Sequence, residues 1–317
     1  MSQAAIILAA GKSTRMNSAQ VKVLHEVCGR PMLAWVLDAV RATAVARIVV
    51  VVGHGHDRVR RAFAGQADIQ WVRQSEPKGT GHAVAVCRAA LESFAGDVFV
   101  LAGDGPLVRP QTLRAMLAKH QASGAALTLA TSRLENPHGY GRILRDSAGE
   151  VIGIVEEKDA TAQQRRITEV NPSYYLFQAR ALFSAVEKIA PNNLKGEYYL
   201  TDAVGILGGQ GLKVVAVPDV APEDVLSINS RAELGAVNQI LQRRLQQALS
   251  EGGVTLVAPP NTWIEFGAEI GQDTVLEPFT WIGRGAHVKA KSHVPAGTVI
   301  ARGGCWPRRG GRRSGRT

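Results

Sequence analysis

The stretch Ala4-Ala5-Ile6-Ile7-Leu8-Ala9-Ala10-Gly11-Lys12-Ser13-Thr14-Arg15-Met16, with Lys22 a short way beyond, joins an apolar run to a glycine turn carrying several cations. The run from Ala4 to Leu8 is short, apolar and close to the N-terminus, the pattern of a strand buried on both faces of a parallel sheet. Gly11 lets the backbone approach an anion closely, and Lys12, Arg15 and Lys22 supply charge, so the segment reads as a cradle for a triphosphate. Gly11-Lys12-Ser13 does not complete a P-loop, because that pattern requires glycine where Ile6 stands.

Working outward, apolar runs at 48–52 and 98–101 each end in a glycine-containing turn, and Met32, Trp35, Val36 and Ala39, between the opening run and 48–52, keep helical spacing. This βαβ alternation predicts a doubly wound α/β domain, Rossmann-like, with its site outside the carboxyl ends of the strands. Segments 126–129, 151–155 and 173–177 read as further short strands of the same domain.

Ser230-Arg231-Ala232-Glu233 is a capping box, after which Leu234, Val237, Leu241, Leu245 and Ala248 keep one helix face up to Gly252-Gly253. Beyond it Ile264, Ile270, Leu276, Ile282, Val288, Val294 and Ile300 recur every six residues, with Thr262, Ala268, Thr274, Thr280, Ala286, Ser292 and Thr298 two positions earlier. A six-residue period is the mark of a left-handed parallel β-helix with coils of about 18 residues, of which about two are expected here. So short a stub needs a covering element or oligomerisation. The organisation expected is a doubly wound α/β domain over 1–229, a connecting helix over 230–252, a hexapeptide stub over 253–304 and a basic, disordered tail over 305–317.

With 45% hydrophobic residues the chain can build a large core, and it has no apolar run of about 18 residues and no basic leader. A cytoplasmic protein without membrane or nucleic-acid partners is expected. The net charge of +10 is misleading, since Arg308, Arg309, Arg312, Arg313 and Arg316 account for half of it and the remainder suits polyanionic small substrates. Cys28, Cys87 and Cys305 are too few and too scattered for a disulfide framework or zinc spacing, and His25, His54, His56 and His82 form no convincing metal set.

The opening motif with Lys22 resembles the G-x-x-T-R-M…P-K signature of the sugar-1-phosphate nucleotidylyltransferases, with Val21 in place of the usual proline. Gln74 to Ala83, Gly103-Asp104-Gly105-Pro106-Leu107, Gly139-Tyr140-Gly141-Arg142-Ile143, Ile154 to Ala160 and Gly196 to Asp202 follow in that family's order. Together they are similar to the bifunctional N-acetylglucosamine-1-phosphate uridylyltransferase/glucosamine-1-phosphate acetyltransferase family over about residues 4–300. The resemblance implies a nucleotide-diphospho-sugar transferase domain followed by a truncated left-handed β-helix. It also implies UTP and N-acetylglucosamine-1-phosphate as substrates, Mg²⁺ as cofactor, and UDP-N-acetylglucosamine and pyrophosphate as products. Acetyl transfer is expected to be absent, and a homotrimer is an open expectation, because such β-helices commonly trimerise but two coils offer little surface.

By the same resemblance, Arg15 and Lys22 are catalytic, on the leaving and reacting phosphates respectively. Leu8, Ala9, Ala10, Gly11, Gln74, Gly79 and Thr80 bind the nucleotide, Gln74 as reader of uracil, whose edge suits an amide's donor and acceptor. Gly141, Glu156 and Asn171, with Gly139 beside them, line the sugar pocket, which segments 126–180 are expected to face. Asp104 and Asn229 hold the metal. Departures fall at Asn171-Pro172-Ser173, where the family has Asn-Thr-Gly, and at Gly105, where valine or threonine is usual. Two alternatives remain open: another sugar-1-phosphate or nucleotide, and a non-catalytic scaffold that binds a UDP-sugar.

Overall fold

The computed structural model describes residues 2–11, 14–218 and 220–307, with only the backbone of Thr14. The chain divides into two compact units. The first comprises the chain up to His25 together with Met32–Glu233; the second comprises Glu26–Pro31 together with the chain from Leu234. This differs from the expected division: a six-residue piece from inside the first unit groups with the second, and the helix Arg231–Glu251 is shared after Glu233.

The first unit is built on a seven-stranded sheet in the order Val214–Val217, Leu127–Ala130, Tyr174–Gln178, Asp97–Ala102, Gln3–Ala9, Arg47–Val52, Ile69–Arg73. All neighbours are parallel except Tyr174–Gln178, which runs antiparallel to both of its partners. The central strands are β-branched and apolar because both faces are covered, and Ile6, Val49, Val51, Val98 and Val100 sit in one core with Leu127 and Phe177. Helix Met32–Arg41 buries Met32, Leu33, Val36, Leu37 and Val40, one face of its turn.

The strands expected in 126–180 are divided between two sheets. Residues 127–130 and 174–178 extend the main sheet, while Val151–Val155, Gly141–Arg145, Glu169–Asn171 and Ser132–Arg133 form a separate four-stranded antiparallel sheet in that order. The carboxyl ends of the parallel strands 3–9, 47–52, 69–73 and 97–102 share one edge, where the reversed strand begins with Tyr174 opposite Leu101. The loops that follow these strands therefore meet there.

The second unit is a parallel β-helix of two-residue strands. Trp263–Ile264, Trp281–Ile282 and Val299–Ile300 stack on one side, Glu269–Ile270, His287–Val288 and Cys305–Trp306 on the next, and Thr255–Leu256, Val275–Leu276 and His293–Val294 on the third. The six-residue aliphatic set points inward, with Leu276, Ile282, Val288 and Val294 fully buried. Three strands per side make three coils rather than about two. The first coil is out of register by two residues, pairing Thr255 with Val275, because the turn Pro259–Asn261 intervenes. The last strand, Cys305–Trp306, lies inside the stretch expected to be disordered; the rest of that tail, 308–317, lies outside the described residues.

The stub is covered at its first coil by its own helix. Gln242 Oε1 accepts the Ile264 amide (3.0 Å), and Gln246 Nε2 donates to the carbonyls of Thr262 (2.7 Å) and Pro259 (3.0 Å). Those backbone groups would otherwise be unpaired at the end of the stack, so the two glutamines act as the terminal cap. The short hairpin Glu26–Val27/Arg30–Pro31 adds a clamp: Glu265 accepts the Arg284 amide (2.9 Å) and the Arg302 guanidinium (2.7 Å), which also reaches Glu26 (2.6 Å). Arg302 holds the Glu265 carboxyl below its ordinary range.

Candidate active site

The floor of the site is the cradle after strand 3–9. The Leu8 carbonyl accepts the Gly103 amide (2.9 Å), tying the first loop to the one that carries Asp104. Ala9 and Ala10 are buried, Gly11 is exposed, and a Cβ on Gly53 would stand 2.6 Å from the Ala10 carbonyl. The loop after strand 47–52 thus needs glycine to lie against the cradle. Arg15 stands exposed on the single turn Thr14–Met16, without a partner among the described residues, while Lys12 lies outside them.

Lys22, on the turn Lys22–Leu24, donates its ammonium to Asp104 Oδ2 and to Asn229 Oδ1 (2.7 Å). These residues are 82 and 207 positions from it in the chain. Asp104 follows strand 97–102, and its carbonyl accepts the Ile228 amide (3.0 Å), which brings the second loop alongside. Asn229 precedes a formed capping box: Ser230 Oγ accepts the Glu233 amide (3.2 Å), and Glu233 Oε2 accepts the Asn229 amide (2.6 Å). Asn229 Nδ2 donates to Ser227 Oγ (3.1 Å), which leaves Oδ1 facing Lys22 and Asp104.

A carboxylate oxygen and an amide carbonyl already converge on one cation, the Lys22 ammonium. That donor set is the hard-oxygen kind that suits Mg²⁺, with the remaining positions left to water and phosphate oxygens, so the residues fit the expected metal. Among the described residues, no group of three or more His, Cys, Asp and Glu forms another such centre.

Gln74 follows strand 69–73 and lines a cavity of about 200 Å³ with Ala10, Gly53, His54, Arg73, Ser75 and Pro77. Its Nε2 donates to the Gly79 carbonyl (3.1 Å) and lies 3.0 Å from His82 Nδ1. Gly79 has φ of +103°, and a Cβ there would meet the Tyr198 carbonyl oxygen at 2.5 Å, so no other residue fits. The 78–81 loop is zipped to the distant Gly196–Asp202 motif: Tyr198 N donates to the Lys78 carbonyl, Gly81 N to the Tyr198 carbonyl (both 2.8 Å), and Leu200 N to Thr80 Oγ1 (2.9 Å).

A third group gathers on the antiparallel sheet. Gly141 pairs with Asn171 across neighbouring strands, and a Cβ on Gly141 would lie 2.9 Å from Ile154 and 3.6 Å from the Glu156 carboxylate. Glu156 accepts from Thr201 Oγ1 (3.2 Å), and burial pushes its carboxyl above the ordinary range. Asn171 Nδ2 donates to the buried Tyr175 hydroxyl (2.6 Å), and its Oδ1 accepts the Ser173 amide (3.0 Å). Ser173 takes φ of +63°, the conformation a glycine would hold without strain. Gly139 is held by Glu157 (3.2 Å), which also pairs with the buried Arg142 (2.6 Å). Thr201, Tyr175, Glu157 and His82 are supporting residues that sequence reading missed. Their signals, single residues inside motifs quoted for other reasons, carry no spacing that marks a role.

All three cysteines are free; burial pushes the thiols of Cys28 up to about 11 and Cys87 up to about 12, so neither is a nucleophile near neutral pH. Among the described residues, no helix is long and apolar enough to cross a membrane.

A glycine cradle and a lysine held between a carboxylate and an amide, at the carboxyl edge of a doubly wound sheet, define a nucleotide-handling transferase. Residues 5–192 match the MobA-like NTP transferase domain, and the chain belongs to that family. More particularly, it is similar to the "Bifunctional protein GlmU" of Geobacter metallireducens, with 50% identity over 273 residues, which are 86% of this chain and 57% of that protein. The proteins of the same name from Geobacter sulfurreducens and Pelobacter propionicus are 49% and 46% identical over 86% of this chain, covering 57% and 59% of their own lengths. The chain therefore spans somewhat under three-fifths of the curated relatives it matches.

Proposed function

We propose that the chain is a uridylyltransferase that joins UTP and N-acetylglucosamine-1-phosphate to form UDP-N-acetylglucosamine and pyrophosphate. The observation that carries the reading is the meeting of Lys22, Asp104 and Asn229 beside the glycine cradle and the Gln74 cavity, all on one sheet edge. Similarity to proteins named GlmU points to the particular sugar nucleotide.

In the reaction, a phosphate oxygen of the sugar-1-phosphate attacks the α-phosphorus of UTP in line; the new P–O bond forms as the bond to the bridging oxygen breaks, and pyrophosphate departs. No general base is needed, since a phosphate monoester with a second pKa near about 6 is mostly dianionic at neutral pH. The work is alignment and charge stabilisation. Arg15, exposed and without a partner among the described residues, is assigned to the leaving phosphates, and Lys22 to the reacting phosphate. Leu8 to Gly11, Gly79 and Thr80 seat the nucleotide through backbone, and Gln74 meets the base. Gly141, Glu156 and Asn171 bind the sugar, Glu156 as an acceptor for hydroxyls. Asp104 and Asn229 would hold Mg²⁺, which supplies neutralisation of phosphate charge when bound. The reading places the protein in the cytoplasm, with small-molecule partners and a homotrimeric assembly.

The test is pyrophosphate release with Mg²⁺, comparing UTP with the other triphosphates and N-acetylglucosamine-1-phosphate with glucose-1-phosphate and glucosamine-1-phosphate. Release confined to UTP and the N-acetyl sugar is expected. Release with another pair moves the assignment to that pair, and no release with any pair overturns it.

A further inference from the structure

Among the described residues, Gln74 is the only amide side chain lining its cavity, yet it does not offer that cavity both of its hydrogen-bonding ends. Its Nε2 donates to the Gly79 carbonyl at 3.1 Å, and this contact settles which end of the amide is nitrogen, because an oxygen there would face another oxygen. The same nitrogen lies 3.0 Å from His82 Nδ1. An amide nitrogen has two protons and no lone pair to offer, so Nδ1 must be the acceptor, which makes His82 a neutral imidazole with its proton on Nε2. Both amide protons are then committed, and Oε1 has no partner among the described residues. A ligand in the cavity meets Gln74 as an acceptor alone.

We propose that His82 is a positioning residue that holds Gln74 in this orientation and thereby selects a base with a ring N–H. The inference rests on the reading of Gln74 as the residue that meets the nucleobase. Uracil carries a proton on N3 and can donate to Oε1. Cytosine carries a lone pair on N3, so the same pose sets two acceptors against each other, and an unmade hydrogen bond at a base-reading contact is costly. Without His82, one amide proton is released, the side chain can turn, and the nitrogen becomes available to an acceptor such as cytosine N3. His82 is well placed for this. It sits on the short helix Thr80–Ala85, directly after the Gly79-Thr80 turn, and Gly81 and Thr80 are anchored to Tyr198 and Leu200. The ring is therefore carried on the same rigid loop whose carbonyl fixes the other amide proton.

The experiment has two arms. In the first, nitrogen-15 NMR of the ligand-free, full-length protein, with His82 assigned through its backbone, is expected to show the Nε2–H tautomer with an unprotonated Nδ1 near pH 7.5. An Nδ1–H tautomer or an imidazolium there overturns the proposal without recourse to any variant. In the second, kcat/KM for UTP and CTP is measured in the wild type, His82→Ala and Gln74→Leu. The UTP-over-CTP ratio is expected to fall about tenfold in His82→Ala, carried by KM, the size expected from loss of one oriented hydrogen bond. An equal loss for both nucleotides, with the ratio unchanged, marks a merely structural role and overturns the proposal. Gln74→Leu separates the two ideas: a collapsed ratio there with an unchanged one in His82→Ala sinks only the part assigned to His82. An unchanged ratio in Gln74→Leu sinks the base-reading role of Gln74, and the inference with it.

Discussion

The sheet unit and the coil unit solve burial in opposite ways. In the sheet, strands of four to seven residues bring Ile6, Val49, Val98 and Phe177, far apart in sequence, into one core, and the loops at the strand ends are released for chemistry. In the coil, most two-residue strands turn one aliphatic side chain inward, and each strand pairs only with its neighbours above and below. The sheet couples distant segments, so its loops can bear strained or unfavourable groups such as Ser173 at positive φ and the buried carboxyl of Glu156. The coil holds positive-φ residues of its own at Asp273, Phe279 and Lys291, but its ends need caps such as Gln242 and Gln246.

That contrast can be broken at several levels. The largest effect belongs to Lys22→Met, which removes the cation between Asp104 and Asn229 and is expected to lower kcat/KM by about 10²–10³-fold with little change in Tm. Steady-state kinetics beside a thermal melt checks this, and a matching loss of stability would show that Lys22 is a fold residue. Next is Ile282→Ala in the middle coil, fully buried in the wild type and expected to cost about 3 kcal/mol. Hydrogen exchange should lose protection across 255–306 while strands 3–9 and 97–102 keep theirs. Uniform loss in both units would abolish the distinction.

Glu156→Gln sharpens it from the other side. Because burial raises the native pKa of Glu156 above its unfolded value, the native state binds the proton more tightly, and ionisation destabilises the fold as pH rises through the native pKa. That penalty is absent below the unfolded pKa of about 4.5. The variant is therefore expected to gain Tm at pH 8 but not at pH 4, while KM for the sugar phosphate rises about tenfold. A Tm gain of equal size at both pH values would rule out the burial penalty. The smallest effects are those of Ser173→Gly and Phe279→Gly, both at φ near +60° (+63° and +62°) and expected to stabilise by about 1 kcal/mol or less. Chemical denaturation measures both. Only the first should alter sugar KM, and a change from Phe279→Gly would tie the coil to the chemistry.

Much of this was legible in the chain. The Ile6-Ile7-Leu8 run, the glycine turn after it and the six-residue aliphatic period depend on local patterning, and each appears where its pattern places it. The capping box at Ser230–Glu233 forms because its contacts span three residues. What failed to show had its cause elsewhere in the chain. The third coil was hidden because Pro259–Asn261 shifts the first rung out of register and because Trp306, at the end of the last strand, is not aliphatic. Segments 127–130 and 174–178 look no different from 151–155, and only their pairing partners assign them to separate sheets.

The sequence by itself determined the class of each element and the residue types available for phosphate, base and sugar, because periodicity and turn chemistry are local. Tertiary structure alone decided that Lys22 faces Asp104 and Asn229 across 82 and 207 residues, that Glu26–Pro31 groups with the coil, and that His82 commits the last proton of Gln74. Those outcomes depend on hydrogen-bond directions and close approaches that exist only once distant segments are packed together.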